Sequence, residues 1–359
     1  MSSSQFEILP TKLAMVLDEI SKSNLDKKRG VVRVVTGISD VSFESLIEDF
    51  KLNGIEIESN LIASEGNFQL WSCMAARRLH ILDNFLLAGN FYVLQNGFSI
   101  FIISGERRLF FRNIVLPITK IAFPNILIAY ILTGEIFELL TNFSKNKKTP
   151  LRYNEFYYKK MFGEAFTVKK HEKRLKIEEY DLFNDAFLEA KENGGWLDRI
   201  SVFGDKFKFT IARNGVIKYK NGTFSEYYQY FFGRIIELVG KRWKLFEHKS
   251  RSEQTELDVK PIIVEFESKV FEDNILKKQF LQELSRYPKS SYSVIHGGNP
   301  HLYVGIVDNL DNSSFSVRTY GTDALLISPQ IRTTKAALVR FSTYILNNFQ
   351  EGTIADFKV

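Results

Sequence analysis

Residues 292–352 constrain the fold of this chain more than any other segment of its sequence. Short apolar stretches alternate there with polar turn-forming residues, a pattern typical of β-strands joined by tight connections. The predicted strands cover residues 292–295, 302–307, 315–320 and 325–327. A helix follows, with Thr333 or Thr334 as its N-cap and Gly352 where a C-cap glycine belongs. The segment therefore predicts a small sheet closed by one helix.

The closing helix has one apolar face. Its apolar residues recur at steps of three and four and are Ala337, Leu338, Phe341, Tyr344, Ile345 and Phe349. We expect this face to pack on the sheet, whereas Arg340 lies off it and is predicted to be free for a partner or a phosphate. A strand at 262–266 and a helix at 274–286 precede the segment, so a C-terminal region spans residues 257–359.

The N-terminal region, residues 1–145, begins with a β-α-β pattern: a strand at 31–35, a helix at 42–52 and a strand from Ile55. A crossover helix would make the two strands parallel neighbours. Further helices are predicted at 77–87 and 126–142. The pair Asn96-Gly97 between apolar stretches predicts a hairpin, because both residues tolerate positive φ.

A middle region, residues 146–256, follows the linker-like sequence KNKKTP. It contains predicted helices at 181–192 and 224–245 and a hairpin at Arg213-Asn214-Gly215. The fold class is therefore a mixed α/β fold of the α+β type. It has an N-terminal unit containing β-α-β, a basic middle of helices and hairpins, and a C-terminal sheet with a capping helix.

The charge of the chain is concentrated in this middle region. The net charge is +6, and residues 145–251 carry 24 Lys and Arg against 14 Asp and Glu. Basic clusters interleaved with aromatic residues suit phosphates and bases, although a solvated lysine-rich face explains the same pattern. The candidate nucleic-acid-binding residues are Lys169, Lys170, Lys173, Arg174, Lys176, Lys241, Arg242, Lys244 and Arg340.

Several classes of protein are excluded by composition. Cys73 is the single cysteine, so no internal disulfide framework exists, and a lone thiol suits the reducing cytoplasm. The N-terminus lacks the basic residues and long apolar core of a signal peptide. The most apolar stretch, residues 114–140, is interrupted by Pro117, Lys120, Pro124 and Glu135, so no membrane-spanning helix is predicted.

Catalytic patterns are weak. No nucleophile stands beside a base in a recognisable arrangement, and no phosphate-binding glycine loop is present. His296 and His301 are more simply structural residues than metal ligands. One alternative stays open: Asp258 with Glu267-Ser268-Lys269 matches the carboxylates and lysine of a metal-dependent nuclease, a short pattern that also arises by chance. The sequence therefore predicts a protein that is not an enzyme and needs no cofactor.

The C-terminal segment resembles part of the APAZ region, which is the partner module of short prokaryotic Argonaute proteins. The residues that carry this resemblance are Asn299-Pro300-His301-Leu302, Asp308, Asp311, Ser313-Ser314-Phe315, Ile327, Pro329-Gln330, Ala337-Leu338, Arg340 and Phe349-Gln350-Glu351-Gly352. Of these, Asn299, His301, Asp308 and Asp311 are the candidate motif or partner residues. APAZ regions are similar to the N and linker regions of long Argonautes.

The resemblance implies a non-catalytic subunit that forms a heterodimer with a short Argonaute containing MID and PIWI domains. That pair would hold a guide–target nucleic-acid duplex in antiviral or anti-plasmid defence. Many members of the family begin with a Sir2, TIR or nuclease effector domain, and the motifs of the first two are missing here. A separate effector protein is therefore expected. The remaining alternative is an interaction protein that binds no nucleic acid.

Overall fold

The structure, a computed structural model, describes residues 12–23, 31–47, 55–78, 84–122, 125–148, 151–160, 165–167, 195–204, 206–247, 249–251, 260–272, 274–297 and 301–357. By its internal contacts the chain divides into two units, Met1–Val239 and Gly240–Val359. Helices accompany two antiparallel sheets, so the predicted α+β class is confirmed.

The described helices and strands follow one another throughout both units. The helices are α1 (Lys12–Ser23), α2 (Phe43–Ile47), α3 (Arg108–Phe110), α4 (Leu116–Ile121), α5 (Thr133–Lys147), α6 (Phe224–Tyr227), α7 (Gly233–Leu245), α8 (Asn274–Ser285) and α9 (Lys335–Asn348). Two π-helical segments, Phe111–Val115 and Tyr228–Phe232, join α3 to α4 and α6 to α7. The strands are β1 (Val32–Ile38), β2 (Ile55–Glu65), β3 (Phe68–Arg78), β4 (Asn84–Asn96), β5 (Ser99–Ser104), β6 (Leu127–Ile128), β7 (Arg152–Lys160), β8 (Ala165–Thr167), β9 (Gly195–Phe203), β10 (Lys208–Ala212), β11 (Val216–Asn221), β12 (Ile262–Phe266), β13 (Ser290–His296), β14 (Tyr303–Asp308), β15 (Ser313–Tyr320), β16 (Ala324–Pro329) and β17 (Gly352–Asp356).

The large sheet belongs to the first unit and has the order β2-β3-β4-β5-β1-β11-β10-β9-β7-β8, with β6 paired to β1. Both predicted hairpins, β4–β5 and β10–β11, are confirmed. Gly97 and Gly215 lie in their turns with φ of 56° and 68°. At Gly215 a Cβ atom would lie 2.4 Å from the carbonyl oxygen of Ala129, so this turn also needs glycine for space.

The predicted β-α-β unit is wrong. β1 pairs with β5 and β11, both antiparallel, and β2 lies at the far edge of the sheet. A crossover helix would have placed β2 parallel beside β1, but among the described strands every partner of β1 is antiparallel. Because β1 pairs with β11, strands from the predicted regions 1–145 and 146–256 share one sheet.

Three helix predictions in the first unit have different outcomes. In the segment 77–87, predicted as a helix, residues 77–78 instead end β3 and residues 84–87 begin β4, with Arg77 opposite Phe85, because long cross-strand pairing overrides local helix propensity. The segment 126–142 begins with β6, and its helix runs from Thr133 to Lys147. The aromatic helix at 224–245 is confirmed, with its π-helical segment inside. The predicted helix at 181–192 lies outside the described residues.

The two faces of the large sheet are covered by different helices. On one face, Phe110, Ile114 and Ile118 of the 108–121 helical segment join the core cluster that includes Val35 and Ile102. On the opposite face, aromatic rings from α5 and the 224–232 segment pack on β10 and β11. The ring pairs there are Phe143–Phe209, Phe209–Phe231 and Tyr219–Tyr227.

The second unit contains a sheet of order β13-β14-β15-β16-β12-β17, with α9 against one face. The strands and helices predicted within residues 262–352 are confirmed to within two residues, and Thr334 is the N-cap of α9. Phe341 is fully buried, with its ring centroid 4.9 Å from that of Phe315 on β15. The expected packing of the helix on the sheet is therefore confirmed.

The predicted role of Gly352 as a C-cap is wrong. Gly352 is the first residue of β17, a strand that the sequence did not predict, and Phe349 ends the helix. A Cβ atom on Gly352 would lie 2.2 Å from the carbonyl oxygen of Glu265 on β12. Glycine is needed here because two backbones approach closely, rather than because the backbone turns.

Within the described ranges, no helix combines the length and the apolar character needed to cross a bilayer.

Candidate nucleic-acid interface

Alternation along β1, β9, β10 and β11 places basic and hydroxyl side chains on one face of the large sheet. In β11, Ile217 and Tyr219 are buried on the aromatic face, so Lys218 between them points to the other face. Lys208 and Lys220 share that polar face by the same alternation, because each differs by two positions from Thr210 or Lys218. The 108–121 helical segment covers an apolar core on the same side of the sheet, and the polar face lies beside that core.

The strand register sets these side chains side by side. Arg33 on β1 lies directly opposite Lys218, and Lys218 lies opposite Thr210 on β10. Thr210 lies opposite Ser201 on β9, two residues beyond Arg199 on the same face. We call Arg33, Arg108, Arg199 and Lys218 the basic quartet, because Arg108, at the start of α3, is close enough to act electrostatically on Arg33 and Lys218.

Burial and the closeness of the basic quartet lower the pKa of two of its members. Burial, and then the charges of Arg199, Arg33 and Arg108, lower the pKa of the Lys218 ammonium. Burial and Arg108 lower the pKa of Arg33. No member forms an ion pair in the part of the chain that the structure describes. Like charges held together without ion pairs among the described residues favour an anionic ligand, which would relieve their repulsion.

Several contacts hold the basic quartet in place. Arg33 donates from Nη1 to the carbonyl oxygens of Val31 and Glu106 at 3.0 and 2.9 Å. The Arg199 guanidinium lies 4.0 Å from the ring centroid of Tyr157 on β7. These contacts orient the two guanidinium groups, each of which has five N–H donors in a fixed planar arrangement.

Hydroxyl groups lie between these cations. The Oγ of Ser201 and the Oγ1 of Thr210 are 2.9 Å apart and hydrogen-bonded to each other. Both side chains are half-exposed on the polar face. Backbone phosphates of nucleic acids are commonly bound by this combination of arginine, lysine and hydroxyl donors.

The predicted basic residues have different locations. Lys169, Lys170, Lys173, Arg174 and Lys176 lie outside the described residues. Lys241 and Lys244 are exposed near the C-terminal end of α7, three residues apart, and Arg242 between them is half-buried. The sequence did not single out any member of the basic quartet. Two of them carried a local signal, a basic residue between two buried apolar residues in a strand: Arg33 between Val32 and Val34, and Lys218 between Ile217 and Tyr219.

The prediction that Arg340 is free is wrong. Its side chain is 11% exposed and its Nη2 forms an ion pair with the fully buried carboxylate of Asp308. Its Nε donates to Asp308 Oδ2 at 2.7 Å and to the hydroxyl oxygen of Tyr287 at 3.1 Å. Burial opposes the charged guanidinium, but Tyr287 and Asp308 outweigh it and raise the pKa of Arg340. Arg340 lies off the apolar face of α9, but this side of the helix packs against the turn after β14 instead of facing solvent.

Asp308 and Asp311 therefore have structural roles. Asp308 also accepts from Tyr287 Oη at 2.9 Å and from the Leu310 amide at 3.0 Å. Asp311 accepts from the hydroxyl of the N-cap residue Thr334 at 2.6 Å and lies 3.6 Å from Arg340 Nη2. The Asp308 side chain is fully buried, so it does not face solvent in this structure. Through these hydrogen bonds and ion pairs, Asp308 and Asp311 connect the β14–β15 turn to the N-terminal half of α9.

The other candidate motif residues and the nuclease-like residues lie partly outside the described ranges. His301 is exposed, and Asn299 lies outside the described residues. β12 ends at Phe266, so Glu267 and Lys269 follow the strand instead of lying on it, and Lys269 is 69% exposed. Asp258 lies outside the described residues. Across the described part of the chain, no three His, Cys, Asp or Glu side chains are grouped as metal ligands.

Comparison with known proteins gives no relative from which a function could be transferred: no protein-family model matches the chain, and no curated protein matches it.

Proposed function

We propose that this chain is a nucleic-acid-binding subunit that uses the polar face of its large sheet. The observation that carries the proposal is the basic quartet, four cations that lack ion pairs in the described part of the chain and lie beside hydrogen-bonding hydroxyls. In the full proposal, the chain pairs with a short Argonaute and binds a guide–target duplex. That second part is supported by the resemblance of residues 299–352 to APAZ regions.

The spacing of the basic quartet suits an extended polyanion better than a small anion. Three strand spacings separate Arg33 on β1 from Arg199 on β9, because β11 and β10 lie between them. At about 4.8 Å per spacing, this is roughly 14 Å. Each strand of a duplex carries one phosphate per ~3.4 Å of helix axis, so this length spans about four phosphates of one strand.

The test measures the salt dependence of binding to a short guide–target duplex. We expect Lys218→Gln and Arg199→Gln each to weaken binding and to reduce the slope of log K against log salt by about 0.9, the effect of one phosphate contact. Lys269→Gln is the matched control, because Lys269 is a highly exposed lysine of the second unit. Equal slopes for all three variants and the wild type would refute this use of the sheet face.

The Argonaute part of the proposal has a separate test. The chain is co-expressed with the short Argonaute encoded beside it, and complex formation is measured by size-exclusion chromatography. A stable complex with higher affinity for the duplex than either protein alone is expected. If no complex forms while the chain still binds nucleic acid through the basic quartet, the Argonaute part fails and the nucleic-acid part stands.

A further inference from the structure

Among the described strands, β13 is an edge strand whose own sequence lacks the usual protection against pairing. It lies at one end of the smaller sheet, next to β14, and its seven residues, SSYSVIH, include no Asp, Glu, Lys, Arg or Pro. Natural edge strands are commonly protected by charge, proline or short length. Two other sheet ends carry charge: β2 contains three glutamates, and the Asp356 carboxylate of β17 pairs with Lys249 at 2.8 Å.

The apolar face of the smaller sheet continues onto this edge. Tyr292 and Val294 lie opposite Ile306 and Val304, which are 2% and 0% exposed. Tyr292 and Val294 themselves are 40% and 44% exposed. The row of buried side chains on this face therefore extends to the edge, where its last members are left partly uncovered.

A second copy of the chain matches this edge. In an antiparallel pairing centred on Ser293, Tyr292 of each copy lies opposite Val294 of the other. Aromatic and β-branched residues form favourable cross-strand pairs. Because β13 has no charged residue, the twofold pairing brings no like charges together. A bulge at Ile295 interrupts the register with β14, so the regular pairing is confined to the residues around Ser293.

We infer that two copies of this chain associate through antiparallel pairing of their β13 strands, centred on Ser293, into one continuous sheet. This inference rests on the β13 edge alone and is independent of the proposed nucleic-acid function. The regular pairing is short, so the dimer should depend on protein concentration and differ from the large permanent interfaces of obligate dimers.

Cysteine cross-linking tests the register directly. In the proposed dimer the two Ser293 residues lie opposite each other, with Cα atoms about 4.5–5.5 Å apart, which suits a disulfide. The two Ser291 residues are offset by four positions, or roughly 13 Å, which is too far. Ser293→Cys should therefore give a covalent dimer under mild oxidation, and Ser291→Cys should give roughly tenfold less or none. The wild type is the background control, because its single cysteine, Cys73, is buried.

A second variant distinguishes pairing from chance collision. Adding Val294→Lys to Ser293→Cys places a charge at the centre of the interface and should abolish the covalent dimer. Because Val294 is already 44% exposed, the melting temperature should stay nearly unchanged. Equal cross-linking at positions 291 and 293, or a protein that stays monomeric by analytical ultracentrifugation and does not cross-link at 293, would overturn the inference. So would cross-linking that persists after the Val294→Lys substitution.

Discussion

Replacing Arg340 with alanine should destabilise the second unit severely. The Asp308 carboxylate is fully buried, and the Arg340 side chain, 11% exposed, supplies its ion pair and a 2.7 Å hydrogen bond. Removing one partner of a buried pair leaves an uncompensated charge and typically costs about 3 to 5 kcal/mol. Tyr287 keeps one hydrogen bond to Asp308 in the variant, which places the expected loss near the lower end of that range, about 3 kcal/mol.

Urea denaturation, followed by tryptophan fluorescence and circular dichroism, measures this loss as a lower midpoint at an unchanged m-value. A double-mutant cycle separates the pair from its surroundings. Asp308→Asn with Arg340→Met removes both charges together, so its cost should be smaller than the sum of the two single costs by at least about 1 kcal/mol. A free energy of unfolding for Arg340→Ala within about 0.5 kcal/mol of the wild type would refute the structural role of this pair.

Three further predictions concern packing, backbone conformation and thiol chemistry. Phe341→Ala should lower the free energy of unfolding by about 3 to 5 kcal/mol, because the fully buried ring beside Phe315 would leave a cavity; calorimetry or urea titration measures the loss, and a cost below about 1 kcal/mol would contradict it. Gly215→Ala should cost more than about 1 kcal/mol in the same assay, since its φ of 68° and the Ala129 carbonyl both disfavour a Cβ atom; an equally stable variant would contradict the turn geometry. Burial raises the pKa of the Cys73 thiol to about 11, so Cys73 should react slowly with a thiol reagent at pH 8 in the folded protein and rapidly in urea; equal rates would contradict its burial.

The same raised pKa gives a direction for stability against pH. The folded state holds the Cys73 proton more tightly than the unfolded state, whose thiol has its ordinary pKa. The stabilisation from this group is therefore fully present below the ordinary thiol pKa and falls as pH rises from that value to about 11. Cys73→Ala should remove this part of the alkaline loss of stability.

Local sequence signals predicted the hairpins and the C-terminal elements because those features depend on residues close together in the chain. Gly97 and Gly215 indicate turns by themselves, and Thr334 marks the start of α9 by its hydroxyl. The β-α-β prediction failed because β1 finds its partners far along the chain, in β5 and β11. Local patterns carry little information about such pairings.

The candidate site could be predicted only in part for the same reason, because its residues come together through pairings between distant strands. Alternation alone places Lys218 and Arg33 on the polar side of their strands, yet nothing local says that they lie opposite each other across 185 positions of the chain. Arg340 lies off the apolar face of α9, as its position in the sequence predicts, but it does not face solvent. The β14–β15 turn brings Asp308 to that side of the helix, so a position expected to face solvent holds a buried ion pair instead.

The measurement that tests the central claim most directly is the salt dependence of duplex binding for the wild type and for the variant with both Arg199→Gln and Lys218→Gln. The wild type should bind with a log–log slope of about −3.6 if all four cations of the basic quartet contact phosphates. The double variant should bind more weakly with a slope of about −1.8, while Lys269→Gln keeps the wild-type slope. A double variant that retains the wild-type affinity and slope would contradict the assignment of the polar sheet face as the nucleic-acid interface.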